Sequence, residues 1–486
     1  MGSSDVTITQ DDYRLFLRCP RSLHRRLIGE QIADANPADA LYPVRSEREH
    51  VREVARRLYA PLVSDSGEVD VRVARPPFAA RVDLLHPQKP DGIAAVFVRD
   101  ATSIKGSYLV DAALVRYCWP DEHLSKLFIC HVRKGYERHG AVDPDACLAV
   151  HDVTRRVDKL LATERDALDA LASLLADDPL LSRFADAVCD RPSSCPVCGA
   201  DRSQPPADHV STLYRGGALV KELTDDGYAS LVDVPPERLV HPRQRIQQHA
   251  VTHRTPHVNH EALGGFMDRL VYPLVYLDFE ATCTAIPPYD RVRAWEHIPY
   301  LFSVHREPAA GAALTHDCFV MRPGHDDRIE LANRLCVALG DSGSVVVYSA
   351  GFERGILARL AEVVPECTAR LTDAIDRIVD LLDPFNQFSY YHPEQRGKVS
   401  LKTILPLLST DGYANLSISD GYAANRAYRY LCERANDPEY DPAAASALID
   451  DLAEYCTMDT LAMVRVMARL RGIMGEPGRL WRPGRE

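Results

Sequence analysis

Leu274-Val-Tyr-Leu-Asp278-Phe-Glu280 is the stretch on which the reading of this chain turns. An apolar run that ends in carboxylate, aromatic, carboxylate describes a buried strand whose end opens onto something polar. Successive side chains on a strand point to opposite faces, so Asp278 and Glu280 share one face and Phe279 turns into the core. Two carboxylates on one face repel each other, and burial raises the cost. A bound divalent cation removes that cost. The plainer reading of the same residues is a strand-end ion pair.

Downstream, Leu301-Phe-Ser-Val-His305 and Cys318-Phe-Val-Met321 read as strands and Asp327 to Leu339 as a helix. Ser344-Val-Val-Val-Tyr348 reads as a strand, Phe352 to Val363 as a helix, and Ile449 to Leu470 as a long closing helix. Strands first and strand–helix alternation afterwards indicate an α/β domain with a mixed sheet flanked by helices. On the closing helix Tyr455 and Asp459 stand four residues apart and share a face, which Leu452, Met463 and Val466 continue inward. An inward aspartate needs a partner, and a metal would serve. Asp278, Glu280 and Asp459 together suit two divalent ions, Mg²⁺ or Mn²⁺. Such a pair binds a scissile phosphate, turns water into hydroxide and stabilises the leaving oxygen. Tyr455 is placed to orient that water. The alternative for Asp459 is a solvated helix charge.

Upstream, Tyr13 to Leu27, Arg48 to Tyr59, Leu109 to Trp119 and Asp152 to Ala187 read as helices. Val69–Val73, Ala80–Leu85, Ala94–Val98 and Leu127–Val132 read as strands. From about Gln204 to Leu263 runs a connector of short helical pieces, punctuated by Pro235-Pro236 and a histidine-rich run between His249 and His260. Three domains are therefore expected, over residues 1–203, 204–263 and 264–486.

Composition bounds the rest. The 486 residues are 46% apolar and 26% charged, as in globular proteins, and no apolar run reaches the length of a membrane span. The opening MGSSDVTITQ has no basic region ahead of an apolar core, so no secretory leader and a cytoplasmic location are expected. A net charge of −12 argues against coating nucleic acid by charge alone, while it suits carboxylates neutralised by divalent ions. Of 13 cysteines only Cys189, Cys195 and Cys198 cluster.

Asp278-x-Glu280-x-Thr282 resembles the first motif of DnaQ-like exonucleases, which have a ribonuclease-H-like fold. Tyr455-x-x-x-Asp459 resembles the third motif of their tyrosine-bearing DEDD branch. Val347-Tyr-Ser-Ala-Gly-Phe-Glu353 stands where the second motif belongs, with Glu353 and Ser349 where the family has aspartate and asparagine. More closely, Tyr272 to Glu280, Ala285-Ile-Pro, Ile298 to His305, Val379-Asp-Leu-Leu, Ser400-Leu-Lys-Thr-Ile-Leu-Pro and Tyr455-Cys-x-x-Asp-Thr-Leu-Ala-Met resemble a bacterial family. Its members pair an N-terminal RecB-like nuclease domain, of restriction-endonuclease-like fold, with a C-terminal DnaQ-like one. The resemblance implies a 3′-to-5′ exonuclease acting on DNA or RNA, at single strands or 3′ ends, with no membrane partner. It also implies that Asp278, Glu280, Glu353 and Asp459 hold the metals. Lys402 reads as a phosphate contact or as a solvated lysine, and Asp380 and Asp383 as turn or helix-end residues or, alternatively, as further carboxylates assisting the metals.

Phe16-Leu-Arg-Cys19-Pro-Arg-Ser-Leu23 resembles the opening helix of RecB-like and CRISPR-associated nucleases that hold an iron–sulfur cluster. That resemblance implies that Cys19, Cys189, Cys195 and Cys198 carry a [4Fe–4S] cluster. Four thiolates also suit Zn²⁺, which the knuckle-like Cys195-Pro-Val-Cys198 favours, and free thiols are the third reading. Ala80-Arg-Val-Asp83 matches the aspartate motif of RecB-like nucleases. Where that family has Glu-x-Lys this chain has Phe97-Val98-Arg99, and Val115 stands at the helical glutamine. Phenylalanine binds no metal, so this site is expected to be inactive. The domain would then be a scaffold, with Arg18, Arg21, Arg25 and Arg26 forming a basic helix face that suits phosphate contact with nucleic acid and equally suits a plain solvated face. The rival functional reading is a non-enzymatic nucleic-acid-binding or assembly protein in which both sites have decayed.

Overall fold

The computed structural model describes residues 6–30, 36–59, 68–88, 92–120, 123–185, 187, 195, 205–409, 412–413 and 416–475. The chain is mixed α/β. Its strands are β1 (Val69–Arg75), β2 (Phe78–Gln88), β3 (Gly92–Arg99), β4 (Leu124–Val132), β5 (Leu148–Asp152), β6 (His257–Val258), β7 (Leu274–Thr282), β8 (Ile298–Glu307), β9 (Thr315–Val320), β10 (Ser344–Val347), β11 (Ile378–Asp380) and β12 (Tyr390–Tyr391). They divide between two compact units. The first comprises Met1–Ala40, Arg45–Ser203 and Cys283–Glu296. The second comprises Leu41–Val44, Gln204–Thr282 and His297–Glu486.

In the first unit the sheet runs β1-β2-β3-β4-β5, with β3 and β4 parallel and the other pairs antiparallel. The Gly106–Cys118 and Thr154–Asp177 helices close one core, with Phe97, Leu114, Val115 and Leu161. The Glu47–Tyr59 helix closes another, with Val51, Val96 and Val98. The expected helix over Tyr13 to Leu27 is two, Gln10–Arg18 and Pro20–Leu27. Pro20 has no N–H to continue the first helix and takes the first turn of the second, and Cys19 before it is extended at φ −160°. The long helix or helix pair expected over Asp152 to Ala187 is one long helix, Thr154–Asp177, that stops ahead of Pro179 and is followed by the 3₁₀ turn Ser182–Phe184.

The segment Cys283–Glu296, which follows the two carboxylates in sequence, belongs to this first unit rather than to the domain that the sequence placed it in. Ala285 N–H donates to the Glu47 carboxylate at 2.6 Å and the Trp295 indole to Asp100 C=O at 2.7 Å.

The connector forms a small helical layer in the second unit. The Gly217–Asp225 and Pro242–His253 helices pack around Val210, Leu213, Leu223, Leu231 and Val251. His249 and His253 stack on each other at 4.1 Å, as helical neighbours four apart. The main sheet runs β11-β10-β7-β8-β9. β7, β10 and β11 are parallel, and β7-β8-β9 is an antiparallel meander. The Pro442–Ile473 helix lies on this sheet and buries Leu452, Tyr455, Cys456, Asp459, Met463, Val466 and Leu470. That periodicity is the inward stripe the sequence announced. Because β7 and β10 run parallel, their carboxyl ends lie on one edge, and ligands favour such an edge in sheets of this kind. Val346 pairs with Tyr276, so the turn into the Ala350–Val363 helix starts level with Asp278.

A candidate metal centre

Asp278 and Glu280 emerge on one face at the end of β7, and Phe279 is buried on the other. Asp459 approaches from the Pro442–Ile473 helix and is buried, 8% exposed. One carboxylate oxygen from each of the three lies within 4.8 Å of the other two. Burial, then the charges of Asp459, Glu280 and Glu353, push Asp278 well above the ordinary carboxylate range. Burial and Asp459 push Glu280 up to about 8.

Glu353 sits on the first turn of the Ala350–Val363 helix, as the motif order required, and is 2% exposed. It is close enough for its charge to bear on Asp278, though it stands outside the tight group of three. Among the described residues its Oε2 is buried without a hydrogen-bond partner, and burial raises the group to about 8. A buried carboxylate oxygen without a hydrogen-bond partner among the described residues, on a side chain whose charge reaches Asp278, adds a hard oxygen donor suited to a cation. Asp380 has the helix-end role. It accepts from the backbone N–H of Ser349 (2.9 Å) and Ala350 (2.8 Å) and so fixes the turn that delivers Glu353. Asp383 pairs with Arg269 instead.

Tyr455 is buried on the same helical face as Asp459. Lys402, on the Leu401–Leu408 helix, is half-buried and turned toward Tyr455. Its Nζ donates to the Tyr455 hydroxyl at 2.9 Å and to Ser419 C=O at 2.7 Å. Three further groups were missed in the sequence. Tyr413 donates to Asp459 Oδ1 at 2.6 Å, and Cys456 Sγ donates to Asp278 Oδ2 at 3.4 Å. Asp420 caps the Gly421–Arg434 helix through Ala423 N–H, and its charge adds to the repulsion on Glu280. A side chain on Gly421 would lie 3.9 Å from the Glu280 carboxylate and 4.0 Å from the Tyr455 hydroxyl, so this helix begins directly beside the pair. Cys456 was legible as the residue after Tyr455. Tyr413 and Asp420 carry no spacing signal that ties them to β7.

These raised acids make a sign-definite prediction for the metal-free protein. An acid whose folded pKa exceeds its unfolded one favours folding below the unfolded value and loses that contribution as pH rises through the folded one. For Glu280 and Glu353 the window runs from 4.5 to about 8. In chelator, the melting temperature should therefore fall between pH 5 and pH 8 (roughly, the ordinary carboxylate range up to neutral). Millimolar Mg²⁺ or Mn²⁺ should restore it at the upper end. A flat profile that ignores the cation would contradict the clustering.

In the first unit Asp83 is held by arginines. Arg48 bonds both of its oxygens (3.0 and 2.9 Å), Arg99 bonds Oδ2 (3.2 Å), Val98 N–H bonds Oδ2 (2.7 Å), and Arg52 bonds Oδ1. Phe97 and Val115 are core residues. Of the cysteine group, Cys189 and Cys198 lie outside the described residues. Cys19 and Cys195 are both buried, and Cys195 Sγ stands 3.3 Å from Ser22 Oγ, one turn beyond Cys19 on the second helix. The chain therefore returns a cysteine to the helix that follows Cys19.

Fold and site together define a mixed α/β protein with a strand-and-helix cluster of carboxylates. A protein-family model described as a domain of unknown function, DUF2779, matches residues 275–400. That match takes in Asp278, Glu280 and Glu353 and ends before Lys402, Tyr455 and Asp459. No curated protein and no solved structure matches the chain. Among the described residues no helix is long and apolar enough to cross a membrane.

Proposed function

We propose that the second unit is a divalent-metal-dependent nuclease with a ribonuclease-H-like sheet, acting as a 3′-to-5′ exonuclease on DNA or RNA. The observation that carries this reading is the convergence of Asp278, Glu280 and Asp459 to within 4.8 Å from elements far apart in sequence. Buried Glu353, whose Oε2 has no hydrogen-bond partner among the described residues and whose charge bears on Asp278, supports it. An all-carboxylate donor set suits Mg²⁺ or Mn²⁺. When bound, two such ions supply an activated water and charge stabilisation on the attacking and leaving oxygens.

The chain's own residues do the rest. Asp278, Glu280, Asp459 and Glu353 would hold the ions. Lys402 donates to the Tyr455 oxygen from one side, which leaves the phenol proton to point toward the carboxylate that shares its buried helical face. A water entering there would take that hydrogen bond and be oriented by it. Lys402→Met and Tyr455→Phe should each slow cleavage by about 10- to 100-fold through misplacement. Because they act through one hydrogen bond, the double variant should be no slower than the worse single one. Multiplying effects in single-turnover rates would show that Lys402 acts elsewhere.

The first unit is read as a RecB-like scaffold without metal chemistry, because arginines occupy Asp83. Its cysteines would hold a [4Fe–4S] cluster or Zn²⁺, which metal analysis separates. That same occupied aspartate favours the second reading, a binding protein with both sites decayed. The test is incubation of the full chain with end-labelled single- and double-stranded DNA and RNA in Mg²⁺ or Mn²⁺. A ladder shortening from the 3′ end is the expected result. Intact substrate under every condition would replace the nuclease with the binding protein.

A further inference from the structure

Within the first unit lies a cavity of about 700 Å³ that the metal centre does not use. Arg14, Arg26 and Arg48 reach it from the helices, Arg72 and Arg81 from β1 and β2, and Arg52 and Arg99 from deeper in the wall. Seven arginines thus face three carboxylates on the lining, Asp11, Glu49 and Asp111. The inner arginines are fixed in place. Asp83 anchors Arg48, Arg52 and Arg99, and Asp111 anchors Arg14 and Arg99. A guanidinium carries five N–H donors, so these pairings leave donors over.

The rim points to a ligand most directly. Arg72 and Arg81 are directly opposed across the antiparallel β1–β2 pair, and both are exposed. Like charges opposed in this way destabilise a sheet. Arg81 has Asp70 as a partner, but among the described residues Arg72 makes no ion pair. An anion bridging the two would turn that repulsion into attraction. Arg26, half exposed and paired with Asp12 at 3.0 Å, completes the rim.

We propose that this cavity is a binding site for the phosphate groups of a nucleotide-sized ligand. Guanidinium forks match phosphate oxygens two at a time, which a lysine cannot do. The volume is in the range of small-molecule sites, roughly 300–1,000 Å³, and is too small for a duplex. The ligand is therefore a free nucleoside polyphosphate or a single phosphorylated nucleic-acid end. The site stands apart from the nuclease reading and does not depend on it.

The test uses the full chain in chelator, so that cleavage is silent. A dye-labelled oligothymidylate with a 5′ phosphate, the same oligonucleotide with a 5′ hydroxyl, and ATP as competitor are the probes, read by fluorescence anisotropy. Wild type should prefer the phosphorylated end or be competed by ATP. Arg72→Ala/Arg81→Ala should weaken that binding by about tenfold or more, as loss of charge-assisted hydrogen bonds does. Because both positions are exposed the variant should fold, and Arg26→Ala provides a second, independent change on the rim. Capture of the phosphorylated end without ATP competition would assign a nucleic-acid terminus, and ATP binding alone a free nucleotide. Binding that ignores the phosphate, or equal binding by wild type and both variants, would overturn the site.

Discussion

Asp278→Asn should lower metal-dependent cleavage by on the order of 10³-fold or more while making the metal-free protein more stable. The two effects have one cause. Burial is the largest cost on the Asp278 charge, and Asp459, Glu280 and Glu353 all press on it as well. Asparagine keeps the shape and removes the charge, so the metal-free fold loses a repulsion, worth a few degrees of melting temperature in a unit of this size. The same charge is what a divalent ion needs. A metal clamp supplies several kcal/mol of charge stabilisation, and each 1.36 kcal/mol is a factor of ten in rate. Lost activity with an unchanged or lower melting temperature would mean that the substitution had merely damaged the strand.

The second large effect is on the fold that carries the site. Arg471, near the end of the Pro442–Ile473 helix, forms a two-pronged ion pair with Glu307 at the end of β8, at 2.8 and 2.9 Å. Both residues are almost wholly buried, at 4% and 3% exposed. Tyr276 on β7 donates to the same carboxylate at 3.0 Å, and Gly311 N–H donates at 2.8 Å. This network ties the helix that bears Asp459 to the strand that bears Asp278. Arg471→Met leaves a buried carboxylate without its counter-charge and should cost about 3–5 kcal/mol in denaturant unfolding. Glu307→Gln/Arg471→Met should cost clearly less, because the stranded charge is gone as well. Equal losses in the single and double variants would show that packing, not the charge pair, holds this corner.

What the sequence disclosed and what it hid follow from the range of each signal. Strand β7 and its alternating carboxylates were legible because a period of two is local. The inward face of the closing helix was legible because Leu452, Tyr455, Asp459, Met463 and Val466 repeat at helical spacing. The break at Pro20 was locally encoded too, yet the apolar pattern runs across it and reads as one helix. The place of Glu353 came from motif order, and its buried orphan oxygen only from packing. Tyr413, Asp420 and the grip of Lys402 on Tyr455 depend on loops and helices that meet only in three dimensions. Nothing in the segment Cys283–Glu296 marks it as part of the first unit, since Ala285 and Trp295 find Glu47 and Asp100 only after folding. The arginines of the first unit were visible one by one. Their gathering around a single cavity depends on the β1–β2 register, which sets Arg72 against Arg81.

The most direct test of the central claim is a calorimetric titration of Mn²⁺ into the full chain, run beside Asp278→Asn/Asp459→Asn. Divalent-ion binding in wild type that is lost in the double variant, whose fold is retained, is the predicted result. Identical titrations for the two proteins, or no binding to wild type, would contradict a metal centre built on Asp278, Glu280 and Asp459.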